Sequence, residues 1–223
     1  MIAKDQLLGV PYWLWIAFFA CADLMLAFPE LDLAISRMFF DPQAGFVING
    51  LWWERLLYHS LDVVLITVLV VLLIAWWRGR QPPRCPDRRA DHCGPPTGRQ
   101  LLLLLALLAL VPGLLVNQGL KEHLGRARPV DLSIFGGTKS FTPAFVPSTQ
   151  DGGSFSSGHA AAAFFLVVVA AELRSVRSIW FVLALSYALS IGLIRIASGG
   201  HFLSDVLASA LLVWIGYRVL LRH

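Results

Sequence analysis

The sequence predicts an all-α polytopic membrane protein: a bundle of six transmembrane helices with interfacial helices in its outer loops, forming one membrane-embedded domain over residues 1–223. Three observations point there. Of the 223 residues, 57% are hydrophobic and only 14% charged, where a soluble domain has roughly half and a quarter. Mean hydropathy is +0.68. Six segments approach the length a span needs, about 20 apolar residues for a hydrocarbon layer of about 30 Å, and the basic residues gather in alternate loops.

The expected spans are 8–28, 60–77, 101–119, 157–173, 178–196 and 203–221. The first reads as a span rather than a signal peptide, because only Lys4 precedes it, balanced by Asp5, and its apolar length exceeds an h-region. The fourth is the shortest and depends on its polar start, "SFSSGH", belonging to the helix. Residues 78–100 are rich in Arg and Pro and too poor in apolar side chains to fold alone, which predicts a flexible loop. Cys85, His92 and Cys93 fall within it, at a spacing and ligand number that do not make a zinc site.

Short loops rich in Lys and Arg stay in the cytoplasm. That rule puts Lys4, the arginines of 78–100, Arg174, Arg177, Arg218 and Arg222 on the cytoplasmic side with both termini. Loops 29–59 and 120–156 and the turn at 197–202 then face outward. In loop 29–59, Phe39, Phe40, Trp52 and Trp53 suit the headgroup layer, hence the expectation of interfacial helices. The net charge of +4 reports topology; no basic stripe lies beside exposed aromatics on a soluble domain, so nucleic acid is not an expected partner.

Three polar clusters fall on the outward side. "KEHLGRARP" supplies Lys121, Arg126 and Arg128 before Pro129 ends the helix. Residues 154–159 place Ser154, Ser156, Ser157, Gly158 and His159 at a helix start, where unpaired N–H groups and the helix dipole favour an anion. "RIASGGHFLSD" supplies Arg195, with His201 and Asp205 four apart on one helix face, where a carboxylate can orient an imidazole. Taken singly, each has a structural explanation: a snorkelling anchor, a capped helix, a hydrogen bond. Jointly they put cations, backbone donors, two imidazoles and a carboxylate on one membrane face, which is most of what phosphoryl transfer asks of a protein. A channel or transporter is the competing class. Asp23 and Asp62 lie near helix ends, and there is neither a broken-helix pair nor an inverted repeat.

The three clusters resemble the signatures of the type 2 phosphatidic acid phosphatase superfamily, KxxxxxxRP, PSGH and SRxxxxxHxxxD. Lys121, Arg128 and Pro129 match the first, Ser157, Gly158 and His159 the second, and Arg195, His201 and Asp205 the third. Ser156 stands in place of the proline and Ile194 in place of the serine. The resemblance covers about residues 100–215. It implies a lipid phosphatase of the inner membrane with its site facing the periplasm or exterior, acting without a cofactor or metal. His201 would be the nucleophile, Asp205 would fix its tautomer, and His159 would be the acid and then the base. Lys121, Arg128, Arg195, Ser157 and Gly158 would hold the phosphoryl oxygens. Arg126 and His123, off the pattern but adjacent, are candidates for shaping the substrate site. Substrates in the family include phosphatidate, phosphatidylglycerophosphate, undecaprenyl diphosphate and lipid A phosphates. "GRARP", "FGG…FTPAF" and "ISRMFFDPQAGF" resemble its lipid A and phosphatidylglycerophosphate branches. A non-catalytic lipid-binding relative is countered by the intact His159, His201 and Asp205.

Overall fold

A computed structural model of the chain describes residues 6–79 and 95–221. Most of the expected flexible loop 78–100, with Cys85, His92 and Cys93, lies outside the described residues.

Seven principal helices carry the fold: α1 (Tyr12–Ala27), α2 (Glu30–Arg37), α3 (Trp52–Gly79), α4 (Gly98–His123), α5 (Gly158–Leu173), α6 (Ile179–Ala197) and α7 (Leu203–Leu221). Among the described residues, strand content is limited to two-residue pairs, Gln6–Leu7 with Val10–Pro11 and Phe40–Asp41 with Gly45–Phe46, and an isolated bridge between Leu132 and Lys139. Each expected span coincides with a helix, but the count of six membrane crossings is not reproduced. Among the described residues, α3, α4, α6 and α7 are long and apolar enough to cross a bilayer. A fifth arises if α1 and α2, bent by 79° across Phe28 and Pro29, form one span. The fourth expected segment is α5, whose 16 residues extend about 24 Å at 1.5 Å each, short of the about 30 Å of hydrocarbon. Its length need not match lipid because protein encloses it: Ala160, Ala161, Ala163, Phe165, Val167 and Val168 are all buried against the surrounding helices.

Local signals set the helix starts. Thr97 and Gln100 cap α4 reciprocally, Ser157 accepts from the Ala160 N–H at 3.3 Å, and Ser178 accepts from the Phe181 N–H at 3.2 Å. α4 contains Pro112, which has no N–H to give. Hydrogen bonding widens to a π-helical pattern over Ala109–Leu120, and the Asn117 amide donates to the Pro112 carbonyl at 2.9 Å. The helix runs on to His123, so Lys121 sits on its last turn rather than in a loop.

Lipid supplies little hydrophobic drive between helices, so close packing of small residues matters more. At Gly216 of α7, a Cβ would come within 2.6 Å of Val111 on α4, so glycine sets how near these two helices lie. At one end of the bundle, Glu172 of α5 accepts from Gln100 at 3.3 Å and from Tyr217 at 3.0 Å. The alternation of helix directions then brings the starts of α3, α5 and α7 and the finishes of α4 and α6 together at the other end. All three polar clusters lie there.

Candidate active site

Two arginine-lined cavities open at that end. One, of about 370 Å³, is lined by Arg128 and Arg195 with Asn49, Glu54, Tyr58 and Gly200 among others. The second, of about 530 Å³, is lined by Lys121 and Arg128 with Asn117, Asp131, Asp151 and Gly153 among others. Arg128 borders both. Lys121 lies within electrostatic reach of Arg128 and Arg195, and three like charges so grouped repel one another unless an anion sits among them.

His201 is buried, 2% exposed, in the turn between α6 and α7. Its backbone N–H donates to the Arg195 carbonyl at 3.0 Å, which ties the histidine to the arginine of its own motif. Its ring Nδ1 lies 2.7 Å from the Ser154 carbonyl. A carbonyl can only accept, so Nδ1 carries the hydrogen and Nε2 keeps its lone pair. Here the structure differs from the expectation that Asp205 fixes this tautomer: Asp205 Oδ2 is 3.6 Å from Nδ1, and the shorter bond goes to the serine backbone. Burial pushes the imidazole below its ordinary pKa, against the opposing pull of Asp205.

Asp205, with no exposed surface, is the node of a buried network. Its Oδ2 accepts from the Ser154 hydroxyl at 2.6 Å and the Phe202 N–H at 2.8 Å, and its Oδ1 accepts from Arg126. Arg126 also donates to Asp32 of α2 at 2.8 Å, to the Ser204 hydroxyl at 2.8 Å and to the Thr142 carbonyl at 2.9 Å. Asp32 in turn accepts from the Ser204 N–H at 3.0 Å. The guanidinium lies 4.2 Å from the Phe202 ring centre. Arg126 is 1% exposed and, like His159 and His201, is not among the residues lining either cavity; what sets it apart is that its contacts are with the groups that hold His201. His123 also lines neither cavity, its Nδ1 turned back to the Gln118 and Gly119 carbonyls at 3.0 and 2.9 Å.

His159, in the first turn of α5, stacks on Tyr58 of α3 with ring centres 4.2 Å apart. Arg195, His201 and Lys121 all lie within electrostatic reach of it, so both histidines and the cations share one neighbourhood. Arg195 sits 4.9 Å from the Tyr58 ring centre. Gly158 opens α5 against the Asn117 side chain, where a Cβ would come within 2.3 Å of Oδ1. The Ser157 hydroxyl caps α5, while the buried Ser156 hydroxyl and Arg195 Nε have no hydrogen-bond partner among the described residues. Such atoms are costly to bury without a partner, and a ligand oxygen would supply one. No group of three or more His, Cys, Asp or Glu side chains is placed to hold a metal among the described residues.

The profile of the PAP2 superfamily matches residues 100–222, which include all three polar clusters. The chain belongs to that superfamily. Among its curated relatives, a lipid A 4'-phosphatase of Francisella tularensis subsp. novicida is 29% identical, covering 96% of this chain and 94% of the relative. A lipid A 4'-phosphatase of Rhizobium leguminosarum is 30% identical, covering 94% and 93%. The fold is similar to that of a transmembrane PAP2-type phosphatidylglycerolphosphate phosphatase from Bacillus subtilis, with a TM-score of 0.55 and 22% identity over 92% of each chain. The motif residues of this PAP2 member are joined by others that carry no motif: Asp32, Tyr58, Asn117, Ser154 and Ser204. One signal for Asp32 was available, since an arginine buried at a membrane edge requires a counter-charge.

Replacing Arg126 by Met leaves Asp32 and Asp205 facing each other without a cation. The expected cost is about 3–5 kcal/mol, read as unfolding in detergent, with Asp32→Asn costing less because Arg126 keeps Asp205. Equal stability of Arg126→Met and the parent would contradict the network's role.

Proposed function

We propose that the protein is an integral membrane phosphatase that removes phosphate from a lipid, of the lipid A type in the first instance, through a phosphohistidine at His201. The observation that carries this reading is the Nδ1 bond to the Ser154 carbonyl, because it leaves Nε2 as an unprotonated nucleophile within electrostatic reach of Arg195, which is itself grouped with Lys121 and Arg128. The names of the curated relatives support the substrate class.

In the first step Nε2 of His201 attacks phosphorus and the P–O bond to the lipid breaks. His159 gives its proton to the departing oxygen. In the second, His159 takes a proton from water, the oxygen attacks phosphorus, the P–N bond breaks and inorganic phosphate leaves. Lys121, Arg128 and Arg195 neutralise the charge on the phosphoryl oxygens through both steps, with the N–H groups at the start of α5 and the Ser156 and Ser157 hydroxyls adding donors. Asp205 stabilises the charge that develops on His201 and aligns the turn that carries it. The protein's own side chains supply every proton and charge in this scheme, so it proceeds without a metal. Domain 1–223 acts as one unit in it.

Phosphate release from lipid A, phosphatidylglycerophosphate, phosphatidate and undecaprenyl diphosphate tests the proposal. Release is expected to persist in chelator, to stop with vanadate and to vanish in His201→Ala; dependence on an added metal would contradict it. In Asp205→Asn, turnover is expected to fall by about 10²-fold. That is short of the about 10⁴-fold that follows when an imidazole takes the wrong tautomer, since the Ser154 carbonyl still holds Nδ1. The acid limb of the parent's pH profile falls below the ordinary imidazole range. It moves lower still in Asp205→Asn, because the carboxylate is what raises the His201 pKa.

We place the site on the periplasmic or exterior side of the inner membrane and both termini in the cytoplasm. The arginines at the far end of the bundle, Arg99, Arg174, Arg177 and Arg218, support that orientation. In a chain with Cys21, Cys85 and Cys93 changed to Ser, Thr138→Cys is expected to react with an impermeant maleimide on intact cells and Val176→Cys only after lysis. The reverse pattern would invert the topology.

A further inference from the structure

Glu54 opens α3 and is 6% exposed, yet it lines the cavity of about 370 Å³ beside Arg128 and Arg195. Among the described residues it makes no hydrogen bond and no ion pair within 4.0 Å, although Arg195 lies within electrostatic reach. A carboxylate beside an anion site opposes the anion; the Glu54 oxygens are acceptors only and are not among the buried atoms without a partner, so they are open to whatever occupies the cavity. Asn49 and Tyr58 line the same space, and Tyr58 follows Glu54 by four residues on one face of α3. Beside the arginines of this cavity, which include the neighbouring Arg55, these residues offer groups that bind hydroxyls and N–H donors.

We propose that Glu54, with Asn49 and Tyr58, forms a headgroup subsite that accepts a hydrogen bond from a hydroxyl or N–H of a sugar carrying the scissile phosphate. This rests on the phosphatase reading above and adds a specificity element to it. Phosphatidate, which has no such donor next to its phosphate, gains nothing from the subsite. The placement also accounts for a position outside all three motifs: α3 begins at Trp52, eight residues before the expected span, and those extra turns deliver Glu54 and Tyr58 to the cavity.

The test compares the KM for a phosphorylated glucosamine-disaccharide lipid with the inhibition constant of inorganic phosphate, in the parent, Glu54→Gln and Glu54→Asp. Losing a hydrogen bond to a charged acceptor is expected to raise the KM in Glu54→Gln by about tenfold. The inhibition constant of inorganic phosphate, which has no sugar, should stay level or fall as the repelling charge goes. Glu54→Asp should recover part of the KM. If the KM falls together with the inhibition constant, Glu54 merely opposes the anion; if both rise together, it acts through the arginines. Either result overturns the inference and leaves the phosphatase reading standing. Release by the parent from phosphatidate but not from the sugar lipid does the same, whereas release from neither overturns both.

Discussion

The buried guanidinium of Arg126 is the constraint on which the rest of this site depends. One cation, removed from water, is shared between Asp32 of α2 and Asp205 of α7, and it reaches Ser204 and the Thr142 carbonyl with its remaining donors. Charges in such a setting cannot be left unpaired without large cost. The loop containing α2, the loop after α4 and the start of α7 must therefore meet at one point or leave a bare charge. Because Asp205 also holds Ser154 and Phe202, that meeting point sets the position of the Ser154 carbonyl and, through it, of His201. A network that contains no motif cation thus aims the imidazole.

Aromatic packing reinforces the same convergence. Phe40 and Phe46 of the loop between α2 and α3 contact Phe135 of the loop between α4 and α5, with ring centres 5.0 and 5.3 Å apart, and Phe202 belongs to the same cluster. The Val130 N–H donates to the Gly199 carbonyl at 3.0 Å, and the Ser154 N–H to the Arg126 carbonyl at 3.0 Å. The polar apparatus so assembled stands at the mouths of apolar helices. That location suits a substrate whose charged head lies at the interface and whose tails lie in hydrocarbon.

The helices and the PAP2 motifs were legible in the sequence because both are local: apolar runs report spans, and fixed spacings report residues on one helix face. His159, His201, Lys121, Arg128 and Arg195 accordingly occupy one neighbourhood. What sequence could not supply was non-local. Asp32 is 94 residues from Arg126; a counter-charge for a buried arginine could be expected, but nothing in "PELDLAIS" singles out Asp32 as that partner. The role of Ser154 belongs to its backbone carbonyl, which every residue possesses, so no side-chain pattern could reveal it. The count of six crossings is not confirmed for a related reason: α5, enclosed by protein, is shorter than the bilayer's length rule asks. Arg126 looked like a residue of the substrate site because it neighbours Arg128, yet alternate residues of an extended segment point to opposite sides.

Trapping of the covalent intermediate tests the central claim most directly. After rapid mixing with a lipid labelled in its phosphate and quenching in base, the account predicts label on the peptide containing His201, stable to base, labile to acid and absent from His201→Ala. Label on His159, or on an acid-stable serine ester, would contradict it.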